Sequence, residues 1–185
     1  MRLASLNPNY INELLKLEEQ MYWQSPKWKD LWQKEAKAKF RAFIKDYLTN
    51  LPQGCFGLIE NKELLGAMFL TKTSKLKPIP YLHKVSRYFE KEGEIAYVSF
   101  FVVKKGKREF EIAQKLYDQA EKVAFFKLKC KTIAVVIYSS PLELKTLQAH
   151  NYKKLEKQFK WEIYPGKKVP CNIYYKEGNQ SSLRI

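Results

Sequence analysis

The sequence is poor in the residues from which metal sites and histidine-based active sites are built. It contains 2 histidines and 3 cysteines among 185 residues. The cysteines, Cys55, Cys130 and Cys171, lie far apart and form no CxxC pair. This pattern favours reduced thiols in the cytoplasm over a disulfide framework or a zinc site. A metal centre or a histidine triad therefore has little support in this chain.

Long hydrophobic runs are also absent. No apolar stretch reaches the ~18 residues that a membrane span needs, and the apolar part of residues 1–6 is too short for a signal peptide. We therefore expect a cytoplasmic protein that does not enter the membrane. With 45% hydrophobic and 15% aromatic residues, the chain has enough apolar surface for one well-cored domain and is too short for two.

Acidic residues are in the minority, since 34 Lys and Arg stand against 19 Asp and Glu and give a net charge of +15. This excess fits a polyanionic partner such as nucleic acid, an acidic protein surface or a phosphorylated cofactor. It equally fits a lysine-rich composition spread over solvated helix faces. The basic residues are scattered, which favours the second interpretation. A nucleic-acid surface would be indicated by a stripe of interleaved arginines and exposed aromatic residues, and the sequence contains none.

The most informative segment is a strand–turn–helix pattern over residues 95–128. Nine mostly β-branched or aromatic residues, 95–103, predict a buried strand. A basic turn at 104–108 follows, and apolar residues then recur at helical spacing over 112–124. A cationic turn between a strand and a helix directs backbone N–H groups and the positive end of the helix dipole at one place. The pattern predicts an anion site of the kind most often used for phosphate.

The remaining segments indicate an α/β (α+β) chain. Apolar runs and alternating patterns predict strands at 1–6, 55–60, 64–70, 95–103, 132–138, 153–164 and 172–175. Helical spacing predicts helices at 9–22, 25–48, 112–128 and 141–149. Residues 75–94 are predicted as an insertion before the fourth strand, and 178–185 as a polar tail. This order predicts a mostly antiparallel sheet with one parallel crossover.

This order of elements, and the motif after the fourth strand, resemble the GNAT superfamily of acyl-CoA-dependent N-acetyltransferases over residues 1–177. The family motif, (R/Q)-x-x-G-x-(G/A), begins five residues after a valine of that strand. Here Val103 is followed five residues on by Arg108, and Ala113 fits the last position, while Glu111 replaces the central glycine. The resemblance implies a single GNAT-like domain with a twisted, mostly antiparallel sheet. That sheet would have six to seven strands, about four flanking helices and a splay between the fourth and fifth strands.

In the family this loop wraps the pyrophosphate of coenzyme A with backbone amides, so the resemblance implies acetyl-CoA as co-substrate. The residues implied in cofactor binding are Val102, Val103, Arg108, Glu109, Phe110, Glu111, Ile112, Ala113 and Ser140. Glu111 would repel a pyrophosphate unless its side chain turned toward Lys115 or Lys107. The alternative is an ordinary acidic residue of a first helical turn, stabilised by the helix dipole.

The second family signature follows the fifth strand and consists of an asparagine, a tyrosine and a Gly-Phe pair. Counted back from Asn151–Tyr152, the asparagine position is Ser140 and the tyrosine position is Leu147. The family tyrosine is credited with protonating the leaving thiolate, which leucine cannot do. Ser140 could hydrogen-bond the pantetheine arm of the cofactor or simply cap a helix.

An attacking ammonium must first lose its proton, and some members of the family carry a glutamate on the fourth strand for this purpose, so the resemblance implies a base there. The candidates are Glu94, Tyr97 and Ser99, and each also fits core packing or solvation at a strand end. A backbone N–H near Val102 or Val103 would stabilise the oxyanion.

The resemblance implies an N-acetyltransferase that moves an acetyl group from acetyl-CoA to a primary amine by direct attack in a ternary complex. The amine acceptor, a small molecule or a macromolecule, is not indicated. Glu111 and Leu147 favour an alternative, a catalytically degenerate GNAT-fold domain with a binding or regulatory role. Residues 75–94 would wall the acceptor site, cover a sheet edge or form a homodimer contact. Nucleic acid binding ranks below both functions.

Overall fold

The computed structural model describes residues 1–23, 29, 32, 34–72, 94–138, 140–155, 159–164 and 167–178. The predicted insertion, apart from Glu94, lies outside these residues, as do most of 24–33 and the tail beyond Gly178. Within the described chain, no helix has the length and apolar character to span a membrane. The same residues contain no group of three or more His, Cys, Asp or Glu that could hold a metal ion.

Eight strands and four α-helices make up the described part of the chain. The strands are β1 (Arg2–Ser5), β2 (Cys55–Glu60), β3 (Glu63–Lys72), β4 (Ile95–Val103), β5 (Thr132–Ile137), β6 (Lys153–Lys154), β7 (Phe159–Tyr164) and β8 (Lys167–Glu177). The helices are α1 (Ile11–Glu18), α2 (Lys34–Asn50), α3 (Glu109–Lys122) and α4 (Pro141–Ala149). Wider, π-helical turns continue α1 over Glu19–Trp23 and α3 over Val123–Lys127.

Hydrogen bonds connect the strands in the order β1-β2-β3-β4-β5-β8-β6, and β7 pairs with β8 off this path. The pairs β1–β2, β2–β3, β5–β8, β6–β8 and β7–β8 are antiparallel, whereas β4–β5 is parallel. The predicted mixed α/β architecture is therefore confirmed. In the described chain the parallel ladder pairs residues 95–98 with 132–135 and includes no later residue of β4. A ladder that ends half-way along β4 is consistent with the predicted splay.

The chain divides into two compact units, the first of which comprises Met1–Phe69 and Ser99–Leu116. An aromatic cluster of Phe43, Tyr47, Phe69 and Phe100 fills its core, with neighbouring ring centroids 4.6–6.5 Å apart. Offset and edge-on ring contacts of this kind add to the stability gained by burying apolar area. The cluster fixes α2 against β3 and the second half of β4.

The second unit comprises Leu70–Val98 and Tyr117–Ile185. Its framework is the ladder between β5 and β8, which runs from Thr132 opposite Glu177 to Ile137 opposite Asn172. Ile133 and Ile173 of these strands are fully buried. The apolar run of β5 thus forms a two-sided buried strand, as its composition predicts.

Two predicted boundaries differ from the structure for local reasons. The helix predicted at 112–128 begins earlier, at Glu109, because first-turn carboxylates are stabilised by the helix dipole but leave no trace in apolar periodicity. Residues 153–164 are not one strand: β6 ends at Lys154 and β7 begins at Phe159. Both pair with the long β8, at 174–175 and at 167–171 respectively.

Candidate functional site

The predicted anion site lies in the first unit, where β4 leads through a turn into α3. The N–H of Lys104 donates to the carbonyl oxygen of Leu65 in β3 at 2.8 Å, so the chain leaves the sheet in a fixed direction. Gly106 then adopts a φ of 152°, a conformation that residues with side chains rarely adopt. No atom of the described residues lies within 4 Å of the position its Cβ would take. The turn therefore leaves its backbone accessible on this side.

The first turn of α3 follows directly. The N–H of Glu109 donates to the carbonyl of Gly106 at 3.2 Å, and the N–H of Ile112 donates to that of Arg108 at 3.0 Å. Ile112 and Ala113 are buried, so their side chains pack in the core and hold the first turn of α3 in place.

Close approach between α3 and β3 holds the start of the helix in place. A Cβ added to Gly66 of β3 would lie 2.9 Å from the Cγ2 atom of Ile112 and 3.1 Å from the Cδ1 atom of Leu116. Glycine therefore permits a helix–sheet distance that a larger residue would increase. The start of α3 is rigidly positioned on the sheet.

Glu111 does turn toward cationic side chains. Its Oε2 accepts from Nε of Arg108 at 3.0 Å, and its Oε1 lies 3.0 Å from Nζ of Lys115. These hydrogen bonds, from Arg108 first and Lys115 second, lower the pKa of Glu111. Of the orientations predicted for Glu111, the one toward Lys115 is found, and Arg108 takes the place considered for Lys107.

Arg108 is shared between two carboxylates. Besides Glu111, its Nη1 donates to Oε2 of Glu60 at 2.8 Å, and the amino group of Met1 lies 3.1 Å from Oε1 of that residue. Hydrogen bonds from Met1 and then Arg108 lower the pKa of Glu60. An incoming phosphate would therefore compete with two ionised carboxylates for the guanidinium.

The turn itself still offers positive charge. Lys104 is paired with Glu63 at 2.6 Å. Lys105 and Lys107 are exposed and have no ion-pair partner among the described residues. These two lysines, the open backbone at Gly106 and the positive end of α3 make a surface that favours anions.

The second half of β4 presents its backbone groups to two sides. The N–H of Lys104 faces β3, and backbone groups alternate in direction along a strand. The backbone N–H and C=O groups of Phe101 and Val103 therefore face the side away from β3, which we call the outer edge of β4. The N–H of Val103, a predicted oxyanion donor, bonds to Sδ of Met21 at 3.4 Å. The hydroxyl of Tyr22 donates to the carbonyl of Phe101 at 3.1 Å. In the sequence, both residues stand only at the end of the helix predicted at 9–22, and nothing there indicates their contact with β4.

The three base candidates each have a structural contact. The Glu94 carboxylate forms an ion pair with Lys131 at 3.0 Å, and Tyr97 is 1% exposed in a cluster with Ile95 and Ala134. The Ser99 hydroxyl donates to the carbonyl of Phe69 at 3.2 Å. These contacts match the packing and strand-end alternatives that the sequence left open.

The second motif lies in the second unit, at α4. The Ser140 hydroxyl accepts the N–H of Glu143 at 3.3 Å and so caps the helix. Leu147, at the tyrosine position, is fully buried and serves the core. Glu143 is 6% exposed, and its Oε1 accepts from the hydroxyl of Tyr117 at 3.0 Å. Burial raises the pKa of Glu143 to about 7, against the opposing hydrogen bond from Tyr117.

No family model matches the sequence, and no curated protein matches it either. Solved structures do match. An acetyltransferase of the GNAT family from Streptococcus pneumoniae has a TM-score of 0.63 at 12% identity, over 96% of this chain and 99% of that one. A putative acetyltransferase from Salmonella typhimurium, solved with its cofactor acetyl-CoA, has a TM-score of 0.65 at 10% identity, over 97% and 94% of the two chains. The chain has the GNAT fold.

A further structural match limits what the GNAT fold implies. The C-terminal condensation domain of Ebony, in complex with beta-alanyl-dopamine, has a TM-score of 0.70 at 11% identity, over 96% of this chain and 98% of that one. Similar folds therefore carry differently named activities. For this GNAT-fold protein, function has to be argued from the residues at the end of β4 and the start of α3.

Proposed function

We propose that the protein is an N-acetyltransferase that uses acetyl-CoA to acetylate a primary amine by direct attack in a ternary complex. The observation that carries this proposal is the junction of β4, the Gly106 turn and the 14-residue helix α3. It combines an accessible turn backbone, a positive helix end and the cations of Lys105 and Lys107, which have no ion-pair partner in the described part of the chain. This combination suits a pyrophosphate, which helix N-termini bind through backbone N–H groups.

The residues proposed to bind the cofactor act mainly through their backbone. Residues 108–113 would form the loop around the pyrophosphate, with the amides of the turn and of residues 108–111 as its donors, because the N–H of Ile112 already donates to Arg108. Arg108 would exchange one of its carboxylate partners for a phosphate oxygen. Val102 and Val103 would contact the acyl arm, and Ser140 would offer its hydroxyl. The bound co-substrate would supply an acetyl thioester that is already activated for acyl transfer.

Side chains need to contribute little to the acyl transfer itself. The N–H of Val103 would donate to the developing oxyanion, a contribution worth about 3–4 kcal/mol in well-formed oxyanion holes. Holding amine and thioester together supplies much of the remaining rate. Glu94, Tyr97 and Ser99 stay the proposed base candidates, with water as the alternative carrier of the proton.

A second candidate function, a degenerate GNAT-fold binding or regulatory domain, is favoured by Leu147. A leucine side chain has no proton to donate, so no donor stands at the position where the family has a tyrosine, and the complete burial of Leu147 gives it a role in the core. Glu111 adds to this case, because a carboxylate beside the turn opposes a pyrophosphate.

Calorimetric titration with acetyl-CoA, followed by a thiol-release assay against primary amines, tests both candidates. We expect micromolar binding and release of free coenzyme A with at least one amine from a panel of small amines and lysine-bearing peptides. Binding without turnover on any amine would favour the degenerate domain. Absence of binding at millimolar acetyl-CoA would contradict the cofactor assignment itself.

A further inference from the structure

The outer edge of β4 is closed by the chain itself. In a sheet, unpaired N–H and C=O groups on a strand edge attract another extended backbone. Here the carbonyl of Phe101 accepts from Tyr22 at 3.1 Å and the N–H of Val103 donates to Met21 at 3.4 Å. Two adjacent side chains therefore satisfy two backbone groups of one strand edge.

One of these two bonds is intrinsically weak. A thioether sulfur is a poor hydrogen-bond acceptor compared with a carbonyl oxygen. The Val103 N–H would therefore gain by exchanging the sulfur of Met21 for an amide or thioester oxygen. Met21 is also unbranched, and such side chains change rotamer at low cost.

The segment that carries both side chains is anchored on either side of them. Met21 and Tyr22 lie in the π-helical turn Glu19–Trp23, a kind of turn often found at functional sites. Nε1 of Trp23 donates to Oε1 of the buried Glu18 at 3.1 Å, and Trp23 stacks on Trp32 with ring centroids 4.8 Å apart. Met21 and Tyr22 are only half-buried, so they can rotate away while the backbone stays in place.

We propose that Met21 and Tyr22 form a displaceable latch on the outer edge of β4. When the latch is closed, its side chains satisfy Phe101 and Val103. When it is open, it yields those groups to an extended ligand arm that carries amide and thioester carbonyls. Such an arm pairs with a strand edge as an added strand does. This proposal rests on the proposed function, because the acyl-pantetheine arm of acetyl-CoA is the ligand with that chemistry.

The test compares acetyl-CoA binding to the wild type and to the double variant Met21→Leu/Tyr22→Phe. This variant keeps the apolar volume of both side chains and removes both bonds to β4. Tyr10→Phe is the matched control, since it removes a tyrosine hydroxyl from the same part of the chain with no effect on the outer edge. Amide exchange at Val103 in the ligand-free proteins first establishes that the double variant has lost the latch, which faster exchange would show.

We expect the double variant to bind acetyl-CoA about threefold to tenfold more tightly than the wild type, the range that one net hydrogen bond corresponds to. Equal or weaker binding by the double variant would overturn the latch and leave the cofactor assignment in place. Unchanged exchange at Val103 would also overturn it, because the bonds from Met21 and Tyr22 would then not protect the edge. No binding by either protein at millimolar acetyl-CoA would overturn the proposed function, and the latch with it.

Discussion

Helices α3 and α4 each carry a glutamate as their third residue, Glu111 and Glu143, and their surroundings shift the pKa values of the two carboxyl groups in opposite directions. Glu111 of α3 is exposed and paired with Arg108 and Lys115, which lower its pKa. Glu143 of α4 is buried, with Tyr117 as its hydrogen-bond donor, and burial raises its pKa to about 7. The same residue type at the same helical position is a charged surface group in one case and, in the other, a buried group whose pKa is raised to about 7.

This difference means that the ion pairs at the start of α3 can be exchanged for a ligand, whereas the buried contact at the start of α4 cannot. The pairs around Glu111 are solvated, so each contributes little to stability and can rearrange when an anion arrives. Removal of Glu143 from water imposes a cost on its charged form that the single hydrogen bond from Tyr117 does not offset. The start of α3 is therefore suited to binding an anion. The start of α4 has a structural role, and its contribution to stability depends on pH.

The largest effect is expected from Glu143→Gln, which removes the ionisation and keeps the acceptor for Tyr117. Since the folded pKa of Glu143 lies above the ordinary value of 4.5, the free energy of unfolding should fall as pH rises from about 4.5 to about 7. At pH 8.5 the variant should be more stable than the wild type by up to about 3 kcal/mol, and near pH 4.5 the two should agree. Urea unfolding at both pH values measures this.

Glu13→Gln, in the first turn of α1, is the matched control, because Glu13 is exposed. It should change the stability by less than about 0.5 kcal/mol at either pH. If Glu143→Gln also changed the free energy of unfolding by less than about 0.5 kcal/mol at both pH values, burial would not raise the pKa of Glu143, and its contrast with Glu111 would be lost.

A second test removes the charge of Glu111. Glu111→Gln should free Lys115 for an anion and leave Arg108 with Glu60 as its one remaining carboxylate among the described residues. Acetyl-CoA binding should therefore tighten about threefold to tenfold at low salt, with a smaller gain at high salt. Glu111→Gly should act in the same direction and also open the backbone. Calorimetry at two ionic strengths gives the comparison, with Glu13→Gln as the variant of equal net charge.

Equal tightening by Glu13→Gln would mean that only the total charge matters and not the position beside the turn. Weaker binding by Glu111→Gln would mean that this carboxylate helps to organise the site, as a positioning partner of Arg108.

The smallest effect concerns the cap of α4. Ser140→Ala should destabilise the protein by about 0.5–1 kcal/mol, because the first-turn N–H of Glu143 loses its acceptor, whereas Ser140→Gly should cost only a few tenths. Both variants lack the hydroxyl. If Ser140 also contacts the cofactor, both should bind acetyl-CoA more weakly, and if it is only a cap, neither should. Thermal unfolding and calorimetry on the two variants separate these roles.

Much of the fold could be predicted from the sequence, because its signals are local. The apolar run 95–103, the glycine in the basic turn and the helical periodicity after it each identify their element without reference to the rest of the chain. The same holds for Ser140–Pro141, which marks the start of α4. The outlines of the candidate anion site were therefore predictable.

The partners of the site were not predictable, since they depend on contacts between distant residues. Glu60, which shares Arg108 with Glu111, lies 48 positions before Arg108 in the sequence. Nothing local to Glu143 indicates burial, because its donor Tyr117 is 26 positions away. Met21 and Tyr22 reach β4 through a π-helical turn, which shifts side chains off the face that a regular helical period predicts.

The most direct test of the central assignment is residue-resolved amide hydrogen exchange with and without saturating acetyl-CoA. If the turn and the first turn of α3 hold the pyrophosphate, the amides of residues 106–111 should exchange more slowly with the ligand, while those in the first turn of α1 should not change. Binding of acetyl-CoA that leaves the amides of 106–111 unprotected would contradict the account.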